Sequence, residues 1–280
     1  MELAIFAKTF TRPTVGDCLH AVRGAGLTAA QFNLSVVGLP TVPAEIPDSV
    51  IEDIRSAVLD AGVNLSAISG TFNAAHPDPS VRAAFTARFP ILCATAKRLG
   101  IAVITLSSGS RDPEDMWRWH PDNSTPAAWD DSRDTLRKLA LIATDHDIQV
   151  AVEPEHSNVV ATAELGMRML HEVDVPALKF VYDAANLLDP DGFDEGAARR
   201  QISKDIDVLA PHIVLAHAKE LTAHRAATPA GKGWLPWRHI VNELTAHEYH
   251  GPLVIHGLAE ADVPTAVTTL ASATRLGTDA

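Results

Sequence analysis

The chain is short of cysteine, of positive charge and of long apolar runs, and each shortage closes off a class of protein. Only Cys18 and Cys93 occur among 280 residues. Two thiols so far apart make no disulfide framework, and a reducing cytoplasm is the expected location. The 23 lysines and arginines face 35 acidic residues, a formal charge of −12. Such a surface repels phosphate backbones and anionic lipid, which argues against nucleic acid and membrane partners. No segment approaches the ~20 consecutive apolar residues of a membrane helix. The opening MELAIFAKTF has no basic leader ahead of a long apolar stretch, so no signal peptide is expected. Linkers and low-complexity tracts are also missing, and one domain spanning residues 1–280 is expected.

What is present is a 46% hydrophobic composition, enough for a large core. Short β-rich runs recur eight times: ELAIFA from residue 2, AAQFNL from 29, NLSAIS from 64, IAVITLS from 101, IQVAVEP from 148, LKFVYD from 178, HIVLAH from 212 and PLVIHG from 252. Between them lie segments such as DSVIEDIRSAVLDAG and DDSRDTLRKLALIATDHD, with apolar residues at three- and four-residue spacings. Continuous apolar strands alternating with amphipathic helices imply a parallel sheet covered on its outer face. Eight such units at this length predict an α/β fold, a single (β/α)8 TIM barrel. A doubly wound sheet would carry a glycine-rich turn after its first strand, and KTFTRPTVGD, residues 8–17, has no such fingerprint. The longest irregular excursion, residues 109–129, follows the fourth run, and loops of that length tend to be functional.

A barrel places its active site at the carboxyl ends of its strands, so the residues that terminate the apolar runs matter most. Four consecutive runs end in ligand-type side chains: Glu153 in VAVEPEH, Asp183 in FVYDAAN, His217 in VLAHAKE and His256 in LVIHGLAE. Any one of them alone reads equally well as a strand-end polar group satisfied by hydrogen bonds. As a set, two carboxylates and two imidazoles suit one divalent cation, Mn2+, Co2+, Fe2+, Mg2+ or Zn2+, with positions left for a hydroxyl and a carbonyl of a substrate. Without a cation, two carboxylates buried together would force one to protonate.

These residues resemble those of the xylose isomerase-like barrels, a superfamily of sugar isomerases and epimerases, inosose dehydratases and endonuclease IV relatives. The resemblance covers nearly the whole chain: Glu153, the DAAN motif from Asp183 to Asn186, the HAKE motif from His217 to Glu220, and GKGWLPW at 231–237 in place of a family GxGxxxW segment. It implies a metal-dependent isomerase or epimerase of a sugar or related polyhydroxylated carbonyl compound, working by proton transfer through an enediolate. Where the family has a second glutamate at the last strand, this chain has His256, which breaks a symmetrical pair of proton-transferring carboxylates. Glu153 and His256 are the expected catalytic residues, with His256 favoured as a ligand over a free base. The broken pair keeps a dehydratase as the nearest rival, and a non-catalytic sugar-binding barrel is the alternative of a different class.

Further residues are expected to bind substrate, each with a plainer alternative. His76, in GTFNAAHPDP, reads as a hydroxyl-binding or proton-shuttling group or as a loop imidazole fixed by Pro77 and Pro79. Trp117 and His120 of the excursion suit a sugar's C–H faces and hydroxyls, or loop packing. Glu155 shares the face of Glu153 and reads as its partner or as the base missing from the last strand. Lys219 reads as a neutraliser of an enediolate or substrate carboxylate, or as an ion-pair partner of Glu155 or Asp183. Asn186 is the expected uncharged contact. No basic cluster marks a phosphate clamp, so an unphosphorylated small-molecule substrate is preferred. The tryptophan-bearing loop beside the barrel mouth points to a homodimer or homotetramer.

Overall fold

In the computed structural model, which describes residues 1–188, 194–222 and 226–275, every one of the eight apolar runs forms a strand. In chain order the strands are β1 (Glu2–Phe6), β2 (Ala29–Phe32), β3 (Asn64–Ser69), β4 (Val103–Ser107), β5 (Gln149–Glu153), β6 (Leu178–Tyr182), β7 (Ile213–Ala218), β8 (Glu220–Leu221), β9 (Ala227–Thr228) and β10 (Pro252–Ile255). Eight of them pair in parallel and close into a barrel in the order β1-β10-β7-β6-β5-β4-β3-β2. The two-residue strands β8 and β9 pair antiparallel in a separate sheet. Around the barrel run α1 (Val15–Gly24), α2 (Asp48–Ala61), α3 (Pro79–Arg98), α4 (Pro126–Asp145), α5 (Ala163–Val173), the single turn α6 (Ala184–Leu187), α7 (Glu195–Leu209), α8 (Trp237–Ala246) and α9 (Val263–Arg275). This is the expected (β/α)8 TIM barrel. No helix among the described residues is long and apolar enough to cross a membrane.

Local chemistry sets the helix limits. Thr14, Asp78, Thr125, Thr162 and Asp194 each accept a hydrogen bond from a backbone N–H in the first turn of α1, α3, α4, α5 and α7. The Thr125 cap, with Pro126 at the first helical position, starts α4 four residues ahead of the apolar spacing that marks it in the sequence. The irregular excursion after β4 is correspondingly shorter, ending in a 3-10 turn at Pro121–Ser124. Cys18 and Cys93 are free and buried in α1 and α3, where burial pushes their thiols up to about 11 and about 12.

Strand alternation builds the site. Ala4, Ala29, Ala67, Val103, Ala151, Val181, Leu215 and Val254 point inward and plug the barrel, while Ile5, Ala30, Ile68, Ile104, Val152, Phe180, Ala216 and Ile255 join the outer core shared with the helices. Side chains in a strand return to the same face every second residue. One step beyond the plug, each strand therefore delivers one more inward residue at the carboxyl end: Phe6, Gln31, Ser69, Thr105, Glu153, Asp183, His217 and His256. All of these except Asp183 line a cavity of about 790 Å3.

Candidate metal centre

Glu153, Asp183, His217 and His256 come together: each offers one ligand atom, and these atoms all lie within 4.8 Å of one another. Glu153 ends β5 and Asp183 follows β6, where its Oδ1 caps α6 by accepting from the Ala185 N–H at 2.9 Å. That bond leaves Oδ2 facing His256 Nε2 at 3.3 Å. His217 Nδ1 stands 3.1 Å from Glu153 Oε1, and the two imidazole rings lie 4.4 Å apart, centre to centre. Asp183 is fully buried, Glu153 and His217 nearly so, and His256 is half-buried at the mouth.

The orientation of His217 comes from a residue that the terminal-charge argument passes over. Gln31, buried at the end of β2, donates its amide N–H groups to Ser69 Oγ at 3.2 Å and Thr105 Oγ1 at 3.3 Å. Its amide oxygen is left to accept from His217 Nε2 at 2.9 Å. A ring nitrogen facing an acceptor carries the hydrogen, so Nδ1 presents its lone pair to the Glu153 carboxylate. Two acceptors 3.1 Å apart in a buried site require a positive charge at that point, which a proton or a metal cation supplies. A histidine whose second nitrogen donates to a fixed oxygen is the common arrangement of metal-ligating imidazoles.

The electrostatics follow from this geometry. Burial works to raise the Glu153 carboxyl, but the His217 charge and its hydrogen bond prevail and hold it at about 2. Burial likewise opposes charge on His217, and Glu153 overcomes it, so His217 is pushed up. His256 moves the other way, pushed down first by burial and then by the charge on His217. Without a cation the cluster thus concentrates positive charge on one imidazole and keeps the other neutral, the form in which a histidine binds metal. The donor set of two carboxylates and two imidazoles matches a borderline divalent cation.

Asn186 bridges this group to the rest of the cavity: its Nδ2 donates to Glu153 Oε1 at 2.7 Å and its Oδ1 accepts from Lys219 Nζ at 2.5 Å. Lys219 Nζ also lies 4.0 Å from Glu155 Oε2, and both line the cavity. Trp117 lines it together with Met116. Their loop is stapled in place: Asn73 bonds the Ser110 N–H and the Asp112 carbonyl, and Asn158 bonds the Met116 carbonyl and the Ser107 hydroxyl. Gly109 makes the crossing feasible, since at φ +79° a Cβ there would sit 2.6 Å from the Ala75 nitrogen.

His76 and His120 stand elsewhere. Neither lines the cavity. His76 spans a turn, with Nε2 donating to the Pro113 carbonyl and Nδ1 accepting from the Asp78 N–H, so both nitrogens are spent on backbone. His120 caps the 3-10 turn by accepting from the Asp122 N–H. The GKGWLPW segment has a structural anchor: buried Glu220 accepts from the Leu235 N–H at 2.9 Å and the Trp237 indole at 2.7 Å. Gly233 passes so close that a Cβ would lie 2.3 Å from the Leu221 carbonyl. Lys232 pairs with Asp262 at 2.6 Å.

Comparison with known proteins places this geometry in a group. Residues 19–272 match the model of the family described as xylose isomerase-like TIM barrel. None of the curated protein sequences compared matches the chain. Among solved structures, 3-keto-D-glucoside 4-epimerase from E. coli superposes with a TM-score of 0.77 at 16% identity, covering 98% of this chain and 99% of its own. D-psicose 3-epimerase with D-tagatose from Clostridium cellulolyticum H10 gives 0.70 at 16%, covering 100% and 97%. A xylose isomerase-like TIM barrel protein from Mycobacterium smegmatis in complex with magnesium gives 0.74 at 17%, covering 99% and 96%. At these identities the likeness is one of fold.

Proposed function

Because the chain belongs to the xylose isomerase-like TIM barrel family, we propose that it is a divalent-metal-dependent isomerase or epimerase of a sugar or related polyhydroxylated carbonyl compound. The observation that carries this reading is the gathering of Glu153, Asp183, His217 and His256 around one point at the barrel mouth. The epimerase activities in the names of two structural neighbours support it. Bound there, a divalent cation would polarise a substrate carbonyl and acidify the adjacent C–H.

The protein's own residues do the rest. Glu153, kept ionised by His217, takes the proton from carbon. His256, pushed down by burial and then by the His217 charge against the pull of Asp183, completes the ligand set. Lys219 faces the negative charge that develops on the substrate oxygens, and Asn186 ties its position to that of Glu153. Trp117 and Met116 cover the outer side of the cavity.

One observation favours a second reading, loss of water from the same enolate. Glu155 is a cavity carboxylate outside the four-ligand group, and the Lys219 ammonium lies 4.0 Å from it. An acid–base pair of that kind suits elimination as well as epimerisation.

Incubating the Mn2+- or Co2+-loaded protein with ketoses and sugar acids in deuterated water tests both readings. Epimerisation places deuterium on the carbon next to the carbonyl, and elimination yields an unsaturated product that absorbs in the ultraviolet. Absence of exchange and of elimination with every substrate offered would count against proton abstraction itself.

A further inference from the structure

A second set of ligand-type side chains occupies the outer surface between α7 and α8. His239 and Glu243 of α8 and His247 at its C-cap recur at four-residue intervals and so rise along one face. Asp207 of α7 meets that face: its Oδ1 lies 2.8 Å from His247 Nε2. The ligand atoms of Asp207, Glu243 and His247 all lie within 4.8 Å of one another, and His239 Nδ1 stands 3.7 Å from Glu243 Oε1.

The orientation of the two imidazoles separates this group from a chance patch of charge. His247 Nδ1 lies 2.9 Å from the Glu243 carbonyl oxygen, and His239 Nε2 lies 3.1 Å from both the Arg199 carbonyl oxygen and the Ser203 hydroxyl, which accepts beside it. Carbonyl oxygens only accept, so both of those nitrogens carry the hydrogen. The remaining nitrogens, His247 Nε2 and His239 Nδ1, are turned toward Asp207 and Glu243, whose carboxylates also only accept. Each imidazole thus meets a carboxylate with a gap that calls for positive charge. Backbone carbonyls fix the ring orientation here as Gln31 does for His217 in the barrel, which is how metal-binding histidines are commonly held. The site also falls at the last turns of both helices, where the helix dipole favours a cation. Helices of this fold return antiparallel to the strands, so these last turns lie at the end of the barrel away from the cavity.

We propose that Asp207, Glu243 and His247 form a second divalent-metal site that clamps α7 to α8, with His239 beside Glu243 at its edge. Mixed imidazole and carboxylate donors select a borderline ion, Zn2+ above all, over Mg2+ and Ca2+, which favour all-oxygen shells. The site does not depend on the catalytic reading of the cavity.

Titrating the chelator-stripped full chain with Zn2+ alone, with bound metal counted by mass spectrometry after gel filtration, tests the site. The paired substitution D207N/H247Q is expected to lose one equivalent of Zn2+ relative to the wild type, and E243Q to weaken the same equivalent. H256A, at the barrel mouth, is expected to retain it. Asp207 is exposed and Glu243 and His247 are partly exposed, and the far-ultraviolet spectrum of each variant without metal confirms its fold. A D207N/H247Q chain that binds as many Zn2+ ions as the wild type would leave only histidine–carboxylate ion pairs and overturn the proposal. Loss of one equivalent by H256A with none lost by D207N/H247Q would likewise overturn it.

Discussion

Replacing Gln31 by leucine separates the hydrogen-bond account of the metal centre from a simple count of ligands, because Gln31 touches no cation. The substitution keeps the volume and removes three bonds at once, to His217, Ser69 and Thr105. The two hydroxyls can turn to each other, but the His217 Nε2–H is left buried without an acceptor. A buried donor stranded in this way costs about 1–3 kcal/mol of stability. The effect on metal is distinct. With no oxygen fixing Nε2–H, the imidazole no longer holds its Nδ1 lone pair on Glu153, and loss of such a partner typically weakens a metal site ~10–100-fold, or about 1.4–2.7 kcal/mol. Calorimetric titration of Mn2+ into Q31L and wild-type protein reads the affinity, and thermal unfolding in chelator reads the stability. T105V serves as the comparison, since it removes one acceptor of the Gln31 amide while leaving the bond to His217, and it is expected to lose stability with little loss of affinity. A Q31L protein that is destabilised yet binds Mn2+ as tightly as the wild type would refute the orienting role.

Two further outcomes follow from the charges. His217 is pushed above its usual range when no metal is present, so a cation must displace its proton, and Mn2+ binding near neutral pH should release about one proton, measured as the dependence of binding enthalpy on buffer ionisation heat; no release would mean that His217 does not ligate through Nδ1. Buried Asp205 on α7 is pushed up from 3.8 to about 7, chiefly by burial and then by Glu164, so the folded protein holds a proton that the unfolded chain gives up. Stability from this group therefore falls as pH rises from about 4 to about 7, and above that the full cost, about 4 kcal/mol, is present. D205N is expected to raise the melting temperature at about pH 8 much more than at about pH 4, and an equal shift at both would contradict the burial argument.

The strands were legible because a parallel barrel buries both faces of its sheet, so each strand writes itself as a continuous apolar run. Glu153, Asp183, His217 and His256 were legible for a related reason: a charged or imidazole group at the end of such a run stands out against it. Gln31, Ser69 and Thr105 obey the same two-residue step from the plug residues Ala29, Ala67 and Val103. They do not stand out in the sequence, because neutral polar side chains at strand ends are ordinary, and it is the folded barrel that aims Gln31 at His217. His76 and His120 are imidazoles in loops that follow β3 and β4. Their partners, the Pro113 carbonyl and the Asp78 and Asp122 N–H groups, are backbone atoms, which leave no mark in residue identity.

The ring of inward residues also has a direction. β1 to β4 supply Phe6, Gln31, Ser69 and Thr105, all uncharged, whereas the later strands supply every carboxylate and imidazole of the ligand group. A cation held by Glu153, Asp183, His217 and His256 therefore sits to one side of the barrel axis, and the rest of the cavity floor is left to hydroxyls, an amide and a phenyl ring. Ser69 and Thr105 bring hydroxyls, and Phe6 and Trp117 aromatic rings, to the same cavity, the mixed lining that would suit a polyhydroxylated molecule. Lys219 and Glu155 line the same cavity, and Asn186 ties Lys219 to Glu153 of the ligand group. The asymmetry follows from strand order alone, since the same two-residue step from the plug places one residue per strand and only the second half of the chain spends that position on charge.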